Sequence, residues 1–445
     1  MTNFTYRCDK DSVGFLPIVN IGPDTKVYIW EKENKNKTFR EVKYLEPNAA
    51  QINSQETVVR SAARMTMLRT DLLLQGKTYR ETLDLLPLGS GNHTEEIRAS
   101  YSLENIVDNL SEEVPMKAGV EYKIMYDGDV ETFTNPGQRE YNSETGNITS
   151  YGISDCLRSI DNLGNSTNLK NMVYVAGDNL VSVPADIPST VVNLHGLFEN
   201  AHDFNDPNIT KWDTKNVRLM SSVFYNMQTF NQPIGSWDMS NVVDTRMMFE
   251  GSRAFNQNLN GWNMSNVESA TRMFQGAESF NNGCDFGKFE KDGVSCALKW
   301  RTDSLVEANS MFEGRNNLSV APYNYDSNFN QNISYSIDPE TGVEYWNMSN
   351  VETINKMFSG ANGFNNRVFN NGQPKGERTA PLGWTFEKEN VSMNRTFDGA
   401  SSFSQGTADW NIVSVSSKEH FARDSNMLCS QVNELLKTNN QCIPG

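Results

Sequence analysis

Residues 237–262 read WDMSNVVDTRMMFEGSRAFNQNLNGW, so this stretch runs from one Trp to the next. The same spacing of 25 residues separates Trp212 from Trp237. A fixed internal period is the signature of a repeat architecture, because a unit this small cannot bury its own apolar side chains and must stack on its neighbours. The chain is therefore expected to contain stacked repeats.

Apolar side chains keep fixed distances from each Trp. In the unit that begins at Trp237, Val242 follows after five residues, Phe249 after twelve and Phe255 after eighteen. Several columns in one register are not expected by chance, so we interpret them as the stacked core. The Trp column and the first Phe column comprise Trp212, Trp237, Trp262, Trp300 and Trp346, and Phe224, Phe249, Phe274, Phe312 and Phe358.

Later units keep the register less strictly. The unit of Trp300 places Leu318 where the second Phe is expected, and the unit of Trp384 has Phe397 and Phe403 one residue late. About seven units, two of them partial, therefore occupy residues 191–421. The partial units contain Val191, Phe198 and Phe204 at one end and Trp410 with Val415 at the other.

Polar residues also recur in columns. Gly and Asn best tolerate a positive φ, so their column fourteen residues after the Trp predicts a left-handed turn. Asn amides stacked from unit to unit form hydrogen-bonded ladders, and we interpret both Asn columns as structural rather than as rows that bind carbohydrate. The turn column is Asn226, Gly251, Gly276, Gly314 and Gly360; the Asn columns are Asn216, Asn241, Asn266 and Asn350, and Asn231, Asn256, Asn281 and Asn365.

Each unit is expected to hold one extended segment and one short helical turn. Residues 233–237 suit the extended segment that leads into the Trp, and residues 266–274 suit the opening of a short helix. These elements predict a repeat solenoid, leucine-rich-repeat-like, with short parallel strands and short helical turns.

Whole strings of the unit resemble a known family. Phe230–Gln232, Trp237–Val242 and Met273–Ala277 are similar to the BspA-like surface-protein repeat, a divergent leucine-rich repeat found in bacterial surface antigens and in proteins of viruses and phages. The resemblance covers about 230 residues. It implies surface display and adhesion or recognition, and it carries no catalytic residues.

The remaining chain divides into three parts. Residues 1–150 show no repeat; strands are expected at 26–30 and 121–126 and a helix at 55–74, in a separate α+β or β-rich domain for docking or assembly. Residues 151–190 are expected to be an N-terminal cap or irregular first repeat, and residues 422–445 a C-terminal cap with a helix at 428–436.

Three insertions interrupt the array, at residues 283–295, 319–340 and 367–380. Insertions in stacked repeats form loops, and binding residues are often found on loops. The second insertion is rich in tyrosine, a residue enriched at recognition interfaces, although padding of the surface explains it equally well. The candidate contact residues are Tyr323, Tyr325, Tyr335 and Tyr345.

Composition argues against several classes of protein. The net charge of −16 disfavours nucleic acid as a partner, and no apolar run is long enough for membrane insertion. Residues 1–20 carry charges within what would be the apolar core of a signal peptide, so no secretory leader is expected. Cys284 with Cys296 and Cys429 with Cys442 are close enough in sequence to bridge, but a chain without a leader favours free thiols.

No constellation for catalysis, a metal or a cofactor stands out. The four histidines, His93, His195, His202 and His420, lack ligand spacing, and no phosphate-binding loop occurs. A glycan hydrolase needs two carboxylates about 5 to 10 Å apart. Asp213 and Asp238 repeat with the unit, which indicates structure, so we expect a protein that is not an enzyme, with a glycan-degrading tail enzyme as a further alternative.

The expected function follows from the repeats and the missing leader. A virion reaches the outside without a signal peptide, so we expect a virion surface protein, such as a fibre, tail-tip or head-decoration subunit. Its N-terminal domain would contact other virion proteins, and its repeats would bind a host surface protein or glycan. A bacterial cell-surface or extracellular adhesin is the alternative, and homo-oligomerisation is left open because no heptad stretch supports a trimer.

Overall fold

The computed structural model describes two compact units, residues 1–219 and 220–445, and each is presented by itself. The described residues are 2–7, 12–15, 18–21, 26–32, 40–45, 113–127, 130–134, 138–141, 148–151, 156–164, 179–285, 288, 290–292, 294–314, 327–368, 378–379, 381–437 and 442. The helix expected at 55–74, His93, Leu318, Tyr323 and Tyr325 lie outside them.

The first unit begins with an antiparallel sheet. Its described strands are β1 (Thr2–Arg7), β2 (Ser12–Phe15), β3 (Ile18–Ile21), β4 (Lys26–Lys32), β5 (Arg40–Leu45), β6 (Glu113–Met116), β7 (Glu121–Asp127), β8 (Val130–Thr134), β9 (Gln138–Tyr141), β10 (Ile148–Tyr151) and β11 (Leu157–Leu163). Five of them form one sheet in the order β11-β1-β7-β4-β5, and β2 with β6, β3 with β8, and β9 with β10 form two-stranded pairs. The strands expected at 26–30 and 121–126 are thus strands β4 and β7.

Alternation of side chains builds the core of this sheet. Tyr122, Ile124 and Tyr126 of β7 are buried, and they lie on the same face as Phe4 and Tyr6 of β1. Burial raises the pKa of both Tyr6 and Tyr126 far above the ordinary value. On β11, Asp161 accepts a hydrogen bond from Thr5 at 2.9 Å and pairs with Lys123 at 3.1 Å.

Strand β11 lies within residues 151–190, the segment expected to be a cap. It forms the edge of the five-stranded sheet by pairing with β1. Ser159 also bridges to Ser182 in parallel, so this strand joins the sheet to the start of the repeats within the first unit. A 3₁₀ helix, Pro207–Lys211, follows, with Asp206 accepting from the Asn208 N–H as its N-cap.

The second unit contains short elements only. Its described strands are β12 (Glu290–Lys291), β13 (Val294–Ser295), β14 (Ser336–Ile337), β15 (Glu344–Tyr345), β16 (Arg367–Val368), β17 (Arg378–Thr379), β18 (Thr385–Phe386), β19 (Val391–Ser392), β20 (Asn411–Ile412) and β21 (Val415–Ser417). β18 pairs with β20 and β19 with β21 in parallel, whereas the other pairs are antiparallel hairpins. Isolated parallel bridges join Asp244 to Ser269, and then Glu307, Thr353 and Ser392 in turn.

Aromatic side chains stack from one repeat to the next. The rings of Phe249 and Phe274 lie 5.4 Å apart at 2° between planes, and those of Phe255 and Phe280 lie 6.1 Å apart. Burying each large aromatic side chain stabilises the fold by very roughly 2 to 3 kcal/mol. The first column contains Phe224, Phe249, Phe274, Phe312, Phe358 and Phe397, and the Trp column contains Trp262, Trp300, Trp346 and Trp384.

Phe329 occupies the second Phe column in the unit of Trp300, so the assignment of Leu318 to that place was wrong. The Phe329 ring stacks on Phe280 at 5.8 Å and on Phe364 at 6.0 Å. The count from the Trp fails here because Phe312 and Phe329 are 17 positions apart in the sequence, whereas the two Phe residues of the preceding units are 6 apart. Phe397 and Phe403, which arrive late in the sequence, continue their columns at 5.4 and 5.6 Å from Phe358 and Phe364.

The Trp indoles also bond between repeats. The Nε1–H of Trp262 donates to the Ile234 carbonyl at 2.9 Å, and that of Trp300 donates to the Leu259 carbonyl at 3.0 Å. The same bond joins Trp212 to Pro184, Trp346 to Leu298 and Trp384 to Ile333. These rings therefore fill the core while their single donors are satisfied by the preceding repeat, whereas the buried Nε1–H of Trp410 has no partner among the described residues.

Residues 266–274 do not form the expected opening of a helix: Ser269 makes an isolated parallel bridge, and turns follow at 271–274. The N–H groups of Ala270, Arg272 and Phe274 donate to carbonyls of the next repeat, so they are not available for helical bonds within the segment. Arg272 has a φ of 59°, which is incompatible with a right-handed helix. In this segment the N–H groups of alternate residues thus point towards the repeat that follows in the sequence.

The predicted left-handed column has a φ of 57° at Asn226, 72° at Gly251, 65° at Gly276 and 66° at Gly360. Gly314 departs from it, since its φ lies outside the left-handed region. It is needed for space, because a Cβ there would lie 2.5 Å from the carbonyl oxygen of Gly360. A second left-handed column, four residues earlier, was not predicted; it contains Ser222, Met247, Arg272, Lys356 and Arg395.

Both predicted Asn columns form hydrogen-bonded ladders. Asn266 donates to the Ser240 carbonyl at 2.6 Å, and Asn216 and Asn350 donate in the same way to Ser189 and Asp303. The other column accepts through Oδ1 from the backbone N–H one repeat later. Its bonds run from Asn256 to Asn231, Asn281 to Asn256, Asn330 to Asn281 and Asn365 to Asn330, at 2.7 to 3.1 Å.

The aromatic stack ends at Phe421, whose ring lies edge-on to Phe397 at 83° and to Trp410 at 86°. Two 3₁₀ helices follow, Cys429–Gln431 and Glu434–Leu436, so the helix expected at 428–436 was wrong. Val432 interrupts it in an extended conformation. The Lys418 ammonium donates to the Leu435 carbonyl at 2.5 Å, which ties these residues to the last repeat.

Candidate recognition surface

Three antiparallel hairpins interrupt the repeats at equivalent places. They are β12–β13, β14–β15 and β16–β17, and each lies between a second-column Phe and the next Trp. We call the described residues of these segments the hairpin surface; they are 283–285, 288, 290–292, 294–299, 334–345, 367–368, 378–379 and 381–382. It includes the described parts of the first and third insertions and the end of the second.

Hydrogen bonds at their bases link the three hairpins. Gln331 Nε2 donates to the Lys288 carbonyl at 2.8 Å, which joins the segment before the second hairpin to the first. The Tyr335 N–H donates to the Leu382 carbonyl at 2.8 Å, and the Ser334 hydroxyl donates to the Pro381 carbonyl at 2.8 Å. These bonds connect the base of the second hairpin to residues beside the first and third hairpins.

Apolar and aromatic side chains are exposed on the second hairpin. Ile337, on strand β14, is 54% exposed, and Tyr335, just before that strand, is 38% exposed. Tyr345, the second described candidate tyrosine, is half-buried, and the Lys299 ammonium lies 5.7 Å from its ring centroid. Desolvation and the neighbouring carboxylate of Glu344 raise the pKa of Tyr335.

The tip of this hairpin is organised by Asp338. Its carboxylate accepts from the N–H groups of Glu340 at 3.0 Å and Thr341 at 2.9 Å. The bonds from Thr341 lower the pKa of Asp338 most, followed by the bond from Glu340. The carboxylate therefore closes a turn and holds the two strands in register.

The first hairpin is closed by a disulfide between Cys284 and Cys296, and Cys429 is bonded to Cys442 at the end of the chain. The expectation of free thiols was wrong for these two pairs. Both Cys284 and Cys296 are buried, and the bond between them lies at the base of the insertion. Disulfides form and persist in oxidising environments.

The two carboxylates considered for catalysis, Asp213 and Asp238, each bind a neighbouring residue of their own repeat. Asp213 pairs with Lys215 at 2.7 Å, and this hydrogen bond lowers the pKa of Asp213, whereas a general acid needs a raised value. Asp238 accepts from the Ser240 N–H at 2.9 Å as part of a turn. Over the described ranges, no group of three His, Cys, Asp or Glu side chains has the geometry of a metal site.

The histidines are dispersed. His195 is buried, and its backbone N–H donates to Asn193 Oδ1 at 2.9 Å. His202 and His420 are half-buried and belong to different repeats. Where the structure describes the chain, it contains no helix that is long and apolar enough to cross a membrane.

These features define a protein made of stacked aromatic repeats with Asn ladders and projecting hairpins. The family described as Mycoplasma protein of unknown function, DUF285, matches residues 167–286, 286–377 and 323–440. The chain belongs to this family, which is related to the BspA-like repeats. No curated protein and no solved structure matches the chain.

Proposed function

We propose that the chain is a surface-displayed recognition protein that is not an enzyme. In this proposal the repeats form a leucine-rich-repeat-like solenoid that holds the hairpin surface towards a host protein or glycan. The observation that supports it is that three hairpins lie at equivalent places in the repeats and are linked by hydrogen bonds at their bases. Exposed Tyr335 and Ile337 give the hairpin surface the composition of a contact surface.

Disulfide bonding supports display outside a reducing compartment. The Cys284–Cys296 bridge closes the first hairpin and Cys429–Cys442 closes the end of the chain. An exposed virion surface and the outer face of a bacterial envelope both meet this requirement. The N-terminal sheet would then attach the repeats to other subunits or to the envelope.

The carrier is proposed to be either a virion or a bacterial cell surface. Membership of a family described from Mycoplasma favours the cell surface. A virion, the carrier expected from the sequence, is the alternative. Labelling with antibody and gold on intact cells and on purified particles distinguishes the two, and label found only inside permeabilised cells would contradict surface display.

The recognition role is tested with the purified protein on host cells or host extracts. Substituting Tyr335→Ser and Ile337→Ser together removes exposed side chains without touching the core, so stability is expected to stay unchanged while binding falls at least tenfold. Val413→Ser, at another exposed apolar position, is the control. Binding that survives the double substitution would remove the hairpin surface from the proposal.

A further inference from the structure

A third Asn ladder, outside the two predicted columns, runs through three consecutive repeats. Asn309 Oδ1 accepts from the Asn355 N–H at 2.8 Å, Asn355 Oδ1 accepts from the Asn394 N–H at 2.7 Å, and Asn394 Oδ1 accepts from the Glu419 N–H at 2.7 Å. We call Asn309, Asn355 and Asn394 the amide row.

Hydroxyl groups of the next repeat occupy the remaining lone pair of each oxygen. Thr353 donates to Asn309, Ser392 donates to Asn355 at 2.8 Å, and Ser417 donates to Asn394 at 2.5 Å. Each Oδ1 thus has two donors and each amide has a single orientation. The NH₂ groups must point away from both donors.

These NH₂ groups are unused within the structure. Among the described residues none of the three Nδ2 atoms has a hydrogen-bond partner, and all three side chains are partly exposed. None of them is a buried unsatisfied atom either. The amide row therefore presents a line of unpaired NH₂ donors, one in each of three successive repeats.

The distance between successive donors of the amide row is set by the distance between stacked repeats. Equivalent rings lie 5.6 Å apart between Phe312 and Phe358 and 5.4 Å apart between Phe358 and Phe397. A peptide laid along the row would place same-side acceptors about 6.6 to 6.8 Å apart, because side chains and carbonyls alternate. One pyranose unit of an extended glycan matches the length of one repeat more closely. Successive β-1,4-linked rings are turned over, but each ring carries hydroxyl or ring oxygens on both edges, so every sugar still presents an acceptor to the row.

Charges around the row are mixed. Lys356 and Arg395 each follow an Asn of the row, while Glu307 and Glu419 lie beside it, and Arg423 is bonded to Asp398 at 2.7 Å. A surface with both signs does not concentrate a polyanion. Neutral hydroxyl and ring oxygens are the acceptors that suit it.

We propose that the amide row binds a linear neutral glycan laid along the stack, with one sugar per repeat. This site is separate from the hairpin surface and goes beyond the proposed function, since it does not depend on where the protein is displayed. Thr353, Ser392 and Ser417 offer their hydroxyl oxygens as acceptors to the same sugars. The bound chain would span three repeats.

The substitutions Asn355→Asp and Asn394→Asp test this arrangement. A carboxylate keeps both acceptor roles of the ladder but loses the outward donors, so folding is expected to be retained, as checked by circular dichroism and thermal unfolding. Asn263→Asp is the matched control, because Asn263 is exposed, lies outside the row and accepts from the Ser265 N–H at 3.2 Å.

The probes are soluble β-1,4-linked oligomers of glucose, mannose and N-acetylglucosamine, titrated by calorimetry into the full chain. Affinity is expected to rise with oligomer length until three repeats are spanned, and the double substitution is expected to weaken binding by about tenfold or more. Absence of binding to every oligomer, binding unchanged by the double substitution, or binding to heparin alone overturns the proposal. These outcomes concern the purified protein and leave the test of surface display unaffected.

Discussion

The close approach of Gly360 and Gly314 gives a quantitative test of how tightly the repeats stack. A Cβ built on Gly360 would lie 1.9 Å from the Gly314 carbonyl oxygen, and real Cβ atoms essentially never approach within 3.0 Å. The φ of Gly360 is also +66°, which disfavours any residue with a Cβ. Gly360→Ala therefore combines a backbone cost with a steric one.

Two neighbouring glycines separate these costs. Gly399 has a φ of +73° but its nearest neighbours would lie 3.7 Å from a new Cβ, so Gly399→Ala carries the backbone cost alone. Gly314 has an ordinary φ but a contact of 2.5 Å, so Gly314→Ala carries the steric cost alone. The three substitutions share one chemistry and one region of the fold.

The magnitudes follow from the bonds that the clash would break. Relieving the clash requires the repeats of Gly314 and Gly360 to separate by about 1 Å, which weakens the bond between them from the Gly314 N–H to the Ser359 carbonyl at 2.9 Å. Each buried bond lost costs about 1 to 3 kcal/mol, and the left-handed conformation costs about 1 to 2 kcal/mol, partly offset by the lower entropy of the unfolded Ala chain. We expect a loss of about 3 to 5 kcal/mol for Gly360→Ala, about 2 to 3 for Gly314→Ala and about 1 or less for Gly399→Ala.

Urea unfolding followed by Trp fluorescence measures these losses, since the Trp column lies inside the stack. If Gly360→Ala costs no more than Gly399→Ala, the repeats are not in the contact that the structure describes, and the reasoning from packing fails.

Three further predictions concern single side chains. Phe329→Ala is expected to cost about 3 to 5 kcal/mol in the same unfolding assay because it empties a buried column position, whereas Tyr335→Ala is expected to cost under about 1; similar losses for both would contradict the column assignment. Cys284→Ser is expected to lower stability by about 2 to 3 kcal/mol and to make the first hairpin sensitive to protease, and an unchanged digestion pattern would argue against the bridge. The carboxyl of Asp338 is expected to titrate below an ordinary Asp in NMR, and Thr341→Pro to raise its pKa by removing the strongest bonds. Because the pKa of Asp338 is lower in the folded chain than in the unfolded chain, its carboxylate stabilises the turn at pH values above the unfolded pKa. This stabilisation is lost as the pH falls through the folded pKa. A turn that loosens when the pH is raised would refute this assignment.

Much of the repeat core could be predicted from periodicity alone. The Trp and Phe residues occur at fixed distances because equivalent positions must stack, and the columns through Phe274, Phe312 and Phe358 follow that count. Phe329 was missed because an insertion resets the distance from the Trp. The string Phe329-Asn330-Gln331 repeats Phe230-Asn231-Gln232 and would have identified it.

Other features had no signal in residue type. The second left-handed column contains Met247, Arg272 and Lys356, which do not favour positive φ, and hydrogen bonds to the next repeat impose that conformation on them. The amide row was likewise missed, since it has Asn in only three successive repeats. Its role depends on which lone pairs the neighbouring repeat occupies, and that is a property of the stack.

The location of the insertions could be predicted, but the links between them were only partly foreseeable. All three hairpins follow a second-column Phe, so their common position in the unit was present in the sequence once Phe329 is counted correctly. The bonds that join their bases, such as Tyr335 to Leu382, connect residues too far apart in sequence for any local pattern to reveal.

Backbone hydrogen bonds run in both directions between neighbouring repeats. The Phe274 N–H donates forward to the Met311 carbonyl, whereas the Glu307 N–H donates backward to the Glu268 carbonyl. The indoles of Trp262 and Trp300 also donate backward. A repeat inside the array is therefore held by donors from both of its neighbours, so a change that shifts one repeat is expected to loosen the two beside it as well.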